Sequence, residues 1–176
     1  MQKKTRTLLL AGLGLAVAAT AVIAANPKFL RAPSATLESP TGKFAASAAG
    51  AEAPSLVIRW TEVGLGDTDT VEYAASAKAT ARYQCVNRGT NCPSASNKQN
   101  VFADVTVTDT VPVDRNGRIS DSLTIKAPPS TLSCPGNQVV SWVSVTFSEI
   151  TLTDVTHGIT VATNPSQVSD SVPECP

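Results

Sequence analysis

The chain has 176 residues, with 14 basic and 14 acidic side chains, one histidine and four cysteines. Lys3, Lys4 and Arg6 lie in the first six residues; without them the balance is 11 to 14, a net charge of −3. That argues against a nucleic-acid partner, since no Lys/Arg run occurs elsewhere, and the abundance of Val, Thr, Ser and Ala over Leu and Met favours strands over helices.

Met1 to Arg6 is a basic leader, and Leu8 to Ala25 is uncharged and apolar or small throughout. Val22-Ile23-Ala24 sets small residues at the −3 and −1 positions for cleavage after Ala24. Residues 1–25 therefore read as a secretory signal peptide. The rival is an uncleaved membrane anchor over residues 8–25, which is at the short end of a membrane span. Residues 26–54 are Ala/Pro/Ser-rich and hold neither a period of 2 nor of 3.6, so a flexible linker is expected there. The remaining residues, 55–176, have the length of one small domain.

Within that domain Leu56 to Val63 alternates, with Leu56, Ile58 and Trp60 on one face. Gly64-Leu65-Gly66-Asp67 is a turn. From Val71 to Val86 every odd position is apolar: Val71, Tyr73, Ala75, Ala77, Ala79, Ala81, Tyr83 and Cys85. Strands turn successive side chains to opposite faces, so this is one long strand with a dry and a wet side. A polar loop, Asn87 to Asn100, follows. Val101 to Val113 alternates again, with Asp109 out of phase. Asp114-Arg115-Asn116-Gly117 predicts a tight hairpin turn, and Ile119, Leu123 and Ile125 line the strand that returns.

Ala127 to Gln138 is a Pro-rich loop, and Val139 to Leu152 is a second long strand region. Val143, Val145 and Phe147 share one parity and Ile150 and Leu152 the other, so a bulge is expected near Ser148-Glu149. Thr156-His157-Gly158 reads as a hairpin turn before Ile159 to Ala162. Six or seven strands without a helical period predict an all-β antiparallel β-sandwich. An immunoglobulin-like arrangement is the first choice and a jelly roll the alternative.

Four cysteines in an exported chain imply two disulfides, and three pairings are possible. Cys85 lies on the inward face of a long strand and Cys134 precedes another, which favours Cys85–Cys134 with Cys92–Cys175. The first bond would close a loop worth about 4 kcal/mol in the chain-entropy view. The spacings match no zinc pattern.

Tyr83-Gln84-Cys85-Val86-Asn87, Asn91-Cys92-Pro93 and Ala95-Ser96-Asn97-Lys98, followed by Asn116-Gly117, Leu132-Ser133-Cys134-Pro135-Gly136-Asn137-Gln138 and Thr151-Leu152-Thr153-Asp154, resemble a group of small exported actinobacterial proteins. The resemblance spans about residues 70–162. It implies export, a Cys85–Cys134 bond and an all-β fold, and it carries no activity. The chain departs from that pattern at His157, where Asn is usual; this implies a turn position for the histidine. It departs also at Cys92, where many members lack Cys, which fits a bond to the extra Cys175.

No catalytic set stands out. A Ser-His-Asp triad would have to use His157, which is expected as a solvent-exposed turn residue, and no G-x-S-x-G occurs. Asp67, Asp69, Asp104, Asp109 and Asp114 could serve a carboxylate-based glycan hydrolase, but nothing pairs them. Around Asp114-Arg115-Asn116-Gly117 an EF-type calcium loop fails, since Pro112 and Leu123 occupy its first and last ligand positions. A looser calcium site among Asp67, Asp69 and Glu72 has no further support. Trp60, Tyr73, Tyr83 and Phe147 are in phase with apolar neighbours. Phe102 and Trp142 are not, so either is a candidate ligand platform, with burial by a second layer as the competing and favoured expectation. The expectation is an exported, non-enzymatic structural or interaction module without cofactor or metal. Its partner would be an envelope component or another extracellular protein. A glycan hydrolase and a small-ligand carrier are the alternatives.

Overall fold

The computed structural model describes residues 25–38, 52–88, 92–93 and 97–176. The predicted signal segment therefore lies outside the described residues. Among the described residues no helix is long and apolar enough to cross a membrane. In chain order the strands are β1 (Lys28–Phe29), β2 (Ser34–Glu38), β3 (Ser55–Val63), β4 (Thr70–Asn87) and β5 (Lys98–Pro112). They continue as β6 (Arg118–Ile125), β7 (Gln138–Asp154), β8 (Ile159–Ala162) and β9 (Val168–Ser171).

Strand β4 dictates the architecture. Its odd-numbered side chains from Val71 to Cys85 are all buried, whereas Glu72, Lys78 and Thr80 face solvent. It pairs along its length with β5 on one side and β7 on the other. Beyond β7, β8 pairs with the Thr151–Asp154 end and β9 with the Ser144–Phe147 end, giving a sheet four ranks wide. The smaller sheet is three ranks wide: β3 in the centre, β6 on one side, and β1 and β2 in line on the other. All pairs are antiparallel, and the inner faces of the two sheets form one core that includes Leu56, Ile58, Tyr73, Val145, Phe147 and Ile150. Alanines at 75, 77, 79 and 81 on the inner face of β4 leave room for the facing sheet to come close, and all four are buried. This is the all-β sandwich that the alternation predicts.

Two bulges in β7 set which of its side chains reach the core. The register with β4 slips opposite Ala77, between Ser148 and Thr151, and Glu149 there has φ 52°. The extra residue reverses the inward parity from Phe147 to Ile150, as the phase change near Ser148-Glu149 predicts. A second slip falls between Ser144 and Trp142, opposite Arg82 and Tyr83. It turns Trp142 inward against Tyr83 and into the core cluster.

Two expectations need correction. The linker expected over 26–54 is not structureless at its start, because β1 and β2 extend β3 and bury Ala35. Their pairing is with a strand distant in sequence, so no local period announces it. The rest of that stretch, 39–51, lies outside the described residues. The turn at Asp114–Gly117 is present: Asp114 Oδ1 accepts from the amides of Asn116 and Arg118, and Gly117 has φ 66°. It does not make a hairpin. It carries the chain from β5 in the large sheet to β6 in the small one.

Both expected disulfides are formed. Cys85–Cys134 has a Cα–Cα distance of 5.5 Å and Cys92–Cys175 one of 5.4 Å. The tail is held further at Gln84, whose Oε1 accepts from the Cys175 amide at 2.9 Å, and at Glu174, whose carboxylate meets Arg82 and Lys98. Lys98 and Arg82 lower the Glu174 pKa.

Candidate functional site

Two places in the molecule carry unusual chemistry. The first is a polar cluster at the end of the sandwich closed by the Gly64–Asp67 turn and the β7–β8 hairpin. Glu62 is on the same face of β3 as Leu56, Ile58 and Trp60, and Asp154 on the same face of β7 as Ile150 and Leu152, so both carboxyls project into the core. Both are fully buried. Tyr73 of β4, packed on Trp60 with ring centroids 4.7 Å apart, donates its hydroxyl to Glu62 Oε2 at 2.7 Å. Asp154 accepts the His157 amide at 2.9 Å and meets its Nδ1 at 2.6 Å. His157 is therefore in the expected turn but only 19% of its side chain is exposed, since Asp154 holds the ring down. That corrects the expectation of a solvent-exposed residue.

Burial raises the Glu62 pKa above its ordinary value of 4.5, and the neighbouring Asp154 carboxyl pushes the same way against the Tyr73 hydrogen bond. The Tyr73 hydroxyl is raised too, first by burial and then by Glu62. Glu62 Oε1 has no hydrogen-bond partner among the described residues. Among the described residues, no three or more of His, Cys, Asp and Glu form a set able to hold a metal ion. Among the described residues both carboxyls are sealed from solvent and face the core, not a cleft. Glu62 and Asp154 are not among the candidate acids predicted from sequence. The signal was present: each is an acid in phase with an apolar row.

The second place is the outer face of the large sheet. Phe102 is 74% exposed there, and among the described residues the other exposed large apolar side chains are Leu30 and Val155. Phe102 lies opposite Thr80, which lies opposite Thr146, which lies opposite Ser169. The adjacent row runs Asp104, Lys78, Ser148. An open depression beside the ring is lined by Lys78, Thr80, Asp104 and Ser148. Lys78 also reaches over to Glu149 at 2.7 Å, and that contact raises its pKa. Of the two aromatics out of phase, the structure thus leaves Phe102 on the surface and takes Trp142, 5% exposed, into the core. Trp142, followed by the bulge at Val143, is buried, as favoured for both aromatics; Phe102 is not, because no layer covers that face among the described residues.

The acids weighed for glycan hydrolysis are not the pair that comes together. Asp104 faces Lys78 on the outer sheet, Asp109 holds the neighbouring Thr110 amide, and Asp114 closes its own turn. No protein-family model and no curated protein matches the chain.

Proposed function

We propose that this protein is an exported, non-enzymatic binding module that works at the cell envelope or outside it, and that it meets its partner with the outer face of the large sheet around Phe102. The observation that carries this is the Phe102 ring, which stands in solvent on a flat bed of threonine, serine and one ion pair. An aromatic body amid hydroxyls suits stacking on a sugar ring or an apolar side chain of a partner protein, with hydrogen bonds around it. Two disulfides suit an oxidising compartment, and the basic leader with its apolar run supports export. The resemblance to small exported actinobacterial proteins agrees with that setting.

The strand order favours an immunoglobulin-like sandwich over a jelly roll. Counting β1 with β2 and β8 with β9 as single ranks, ranks one, two and five form one sheet and ranks four, three, six and seven the other. This is the constant-domain order with the fourth rank moved across to the opposite sheet. A carboxylate-based glycan hydrolase needs two acids about 5–9.5 Å apart with a sugar between them. The acids that do converge, Glu62 and Asp154, are closed to any sugar, so the binding reading is preferred. A small-ligand carrier is disfavoured by the buried alanines that draw the sheets together.

Cosedimentation with isolated envelopes of the producing cells tests the proposal. Phe102→Ala is expected to lower retention about tenfold or more, the loss typical of an aromatic anchor. Val155→Ala, at an exposed position away from the face, is expected to bind as the wild type does. Equal retention of all three proteins would reject the Phe102 face as the contact surface.

A further inference from the structure

The strands at the margins of the two sheets differ in one respect. β2, β6, β8 and β9 have 5, 8, 4 and 4 residues. β5 has 15, and among the described residues no strand pairs with its far side. Sheets usually guard such margins with short strands, bulges, prolines or lysines. Between Gln99 and Val111 β5 has no proline and no lysine, and its register with β4 runs without a slip from Thr70–Pro112 to Gln84–Lys98.

The unbroken register fixes which backbone groups are free. The Val113 amide donates to Asp69 O and Asn97 O accepts from the Cys85 amide, so odd-numbered residues of this segment bond towards β4. Even-numbered residues, Asn100, Phe102, Asp104, Thr106 and Thr108, then turn their N–H and C=O groups away from it. Thr110 points the same way, but its amide is taken by Asp109 Oδ1. On the inner face Val101, Ala103, Val105 and Val107 are only half-buried, while the alanines beside them on β4 are fully covered. The four-rank sheet overhangs the three-rank sheet at this side.

We propose that β5 pairs antiparallel with β5 of a second copy about a two-fold axis at Val105, joining two large sheets into one. A second copy is the occupant because the strand is self-complementary. Val105 is its midpoint, so this register uses its whole length. It sets even residues against even residues, as mutual hydrogen bonding requires. Asp104 then faces Thr106, Phe102 faces Thr108 and Asn100 faces Thr110, and the half-buried valines of the two copies meet at the axis. Centring on Asp104 instead would oppose two carboxylates, which sheets disfavour. Such an isologous contact closes after two subunits, and it stands whether or not Phe102 binds a ligand.

The test is the mass of the full disulfide-bonded protein by sedimentation equilibrium from about 1 μM to about 1 mM, the span of tight to weak association. The mass is expected to climb to twice that of the monomer. Thr106→Asp would set a carboxylate against Asp104 twice per dimer and is expected to weaken association about tenfold or more. Thr106→Lys would set an ammonium there and is expected to preserve or tighten it. Both variants lose the 3.0 Å contact between the Thr106 and Ser76 hydroxyls alike, so a difference between them reports the facing strand. A monomer mass across the whole range, or equal behaviour of the two variants, would overturn the proposal.

Discussion

Glu62 is an ionisable side chain at a position whose neighbours in phase, Ile58 and Trp60, are apolar and buried. Its raised pKa is a statement about stability. Folded Glu62 keeps its proton above pH 4.5, its ordinary value, where the unfolded chain gives it up. The folded state then binds more protons, so stability falls as pH rises from that value through the folded one. Tyr73, Asp154 and His157 are the titratable groups around it. Glu62→Gln keeps an acceptor for the Tyr73 hydroxyl and removes the titration. We expect its melting temperature at neutral pH to exceed the wild-type value by a few degrees, about 1 kcal/mol in a domain of this length. The gain should shrink towards pH 4.5; identical pH profiles for the two proteins would refute it. The pairing of Glu62 with Asp154 was hidden in the sequence. Parity shows that each points inward, but only the packing of β3 over β7 brings the two to one end of the core.

At the scale of the element, β4 and β7 mark the boundary between what alternation can and cannot tell. β4 has no slip on its own side chains, and its parity gives the buried residues from Val71 to Cys85 except Gln84, an even position that the tail covers at Cys175. β7 carries two bulges. The one at Glu149 shows in the sequence because apolar residues resume on the other parity. The one near Val143 does not, because Val143 and Trp142 are apolar on both parities and both are buried. Phe102 lies on an alternating strand and was legible as outward; what the sequence lacked was whether a layer covers it. β2 is the opposite case, a strand with no readable period whose place depends on β3. It gives a sharp prediction. Ala35 is 2% exposed between β2 and the core, so Ala35→Glu would bury a charge without a partner. Chemical denaturation is expected to show a loss of at least about 2 kcal/mol. A loss near zero would mean that this segment does not dock as a strand.

At the scale of the molecule, the sandwich has two unlike ends. One is closed by side chains: Leu65, fully buried in its turn, with Glu62, Asp154 and the hairpin that holds His157. Gly64 is required there, since a Cβ on it would sit 2.2 Å from Asn26 O and its φ is 81°. The opposite end is closed by covalent bonds, with Cys85 tied to the Pro-rich loop before β7 and Cys175 tied back to Cys92. The Pro-rich loop is fastened again where Pro128 O accepts from the Tyr83 hydroxyl and Gln99 holds Ser130 and Thr131.

The Cys92–Cys175 bridge also makes the domain inextensible over most of its length. A pull between residue 25 and residue 176 passes from Cys92 directly through sulfur to Cys175, so the chain between them, a sequence separation of 83, carries no load. In a force-extension experiment the oxidised protein should lengthen only by the chain ahead of Cys92. Reduction should add roughly 270–300 Å of contour at about 3.3–3.6 Å per residue. Under such a pull β1 to β4 lie in the load path, while β5, β6 and β7 lie inside the sulfur-closed loop and are not drawn out.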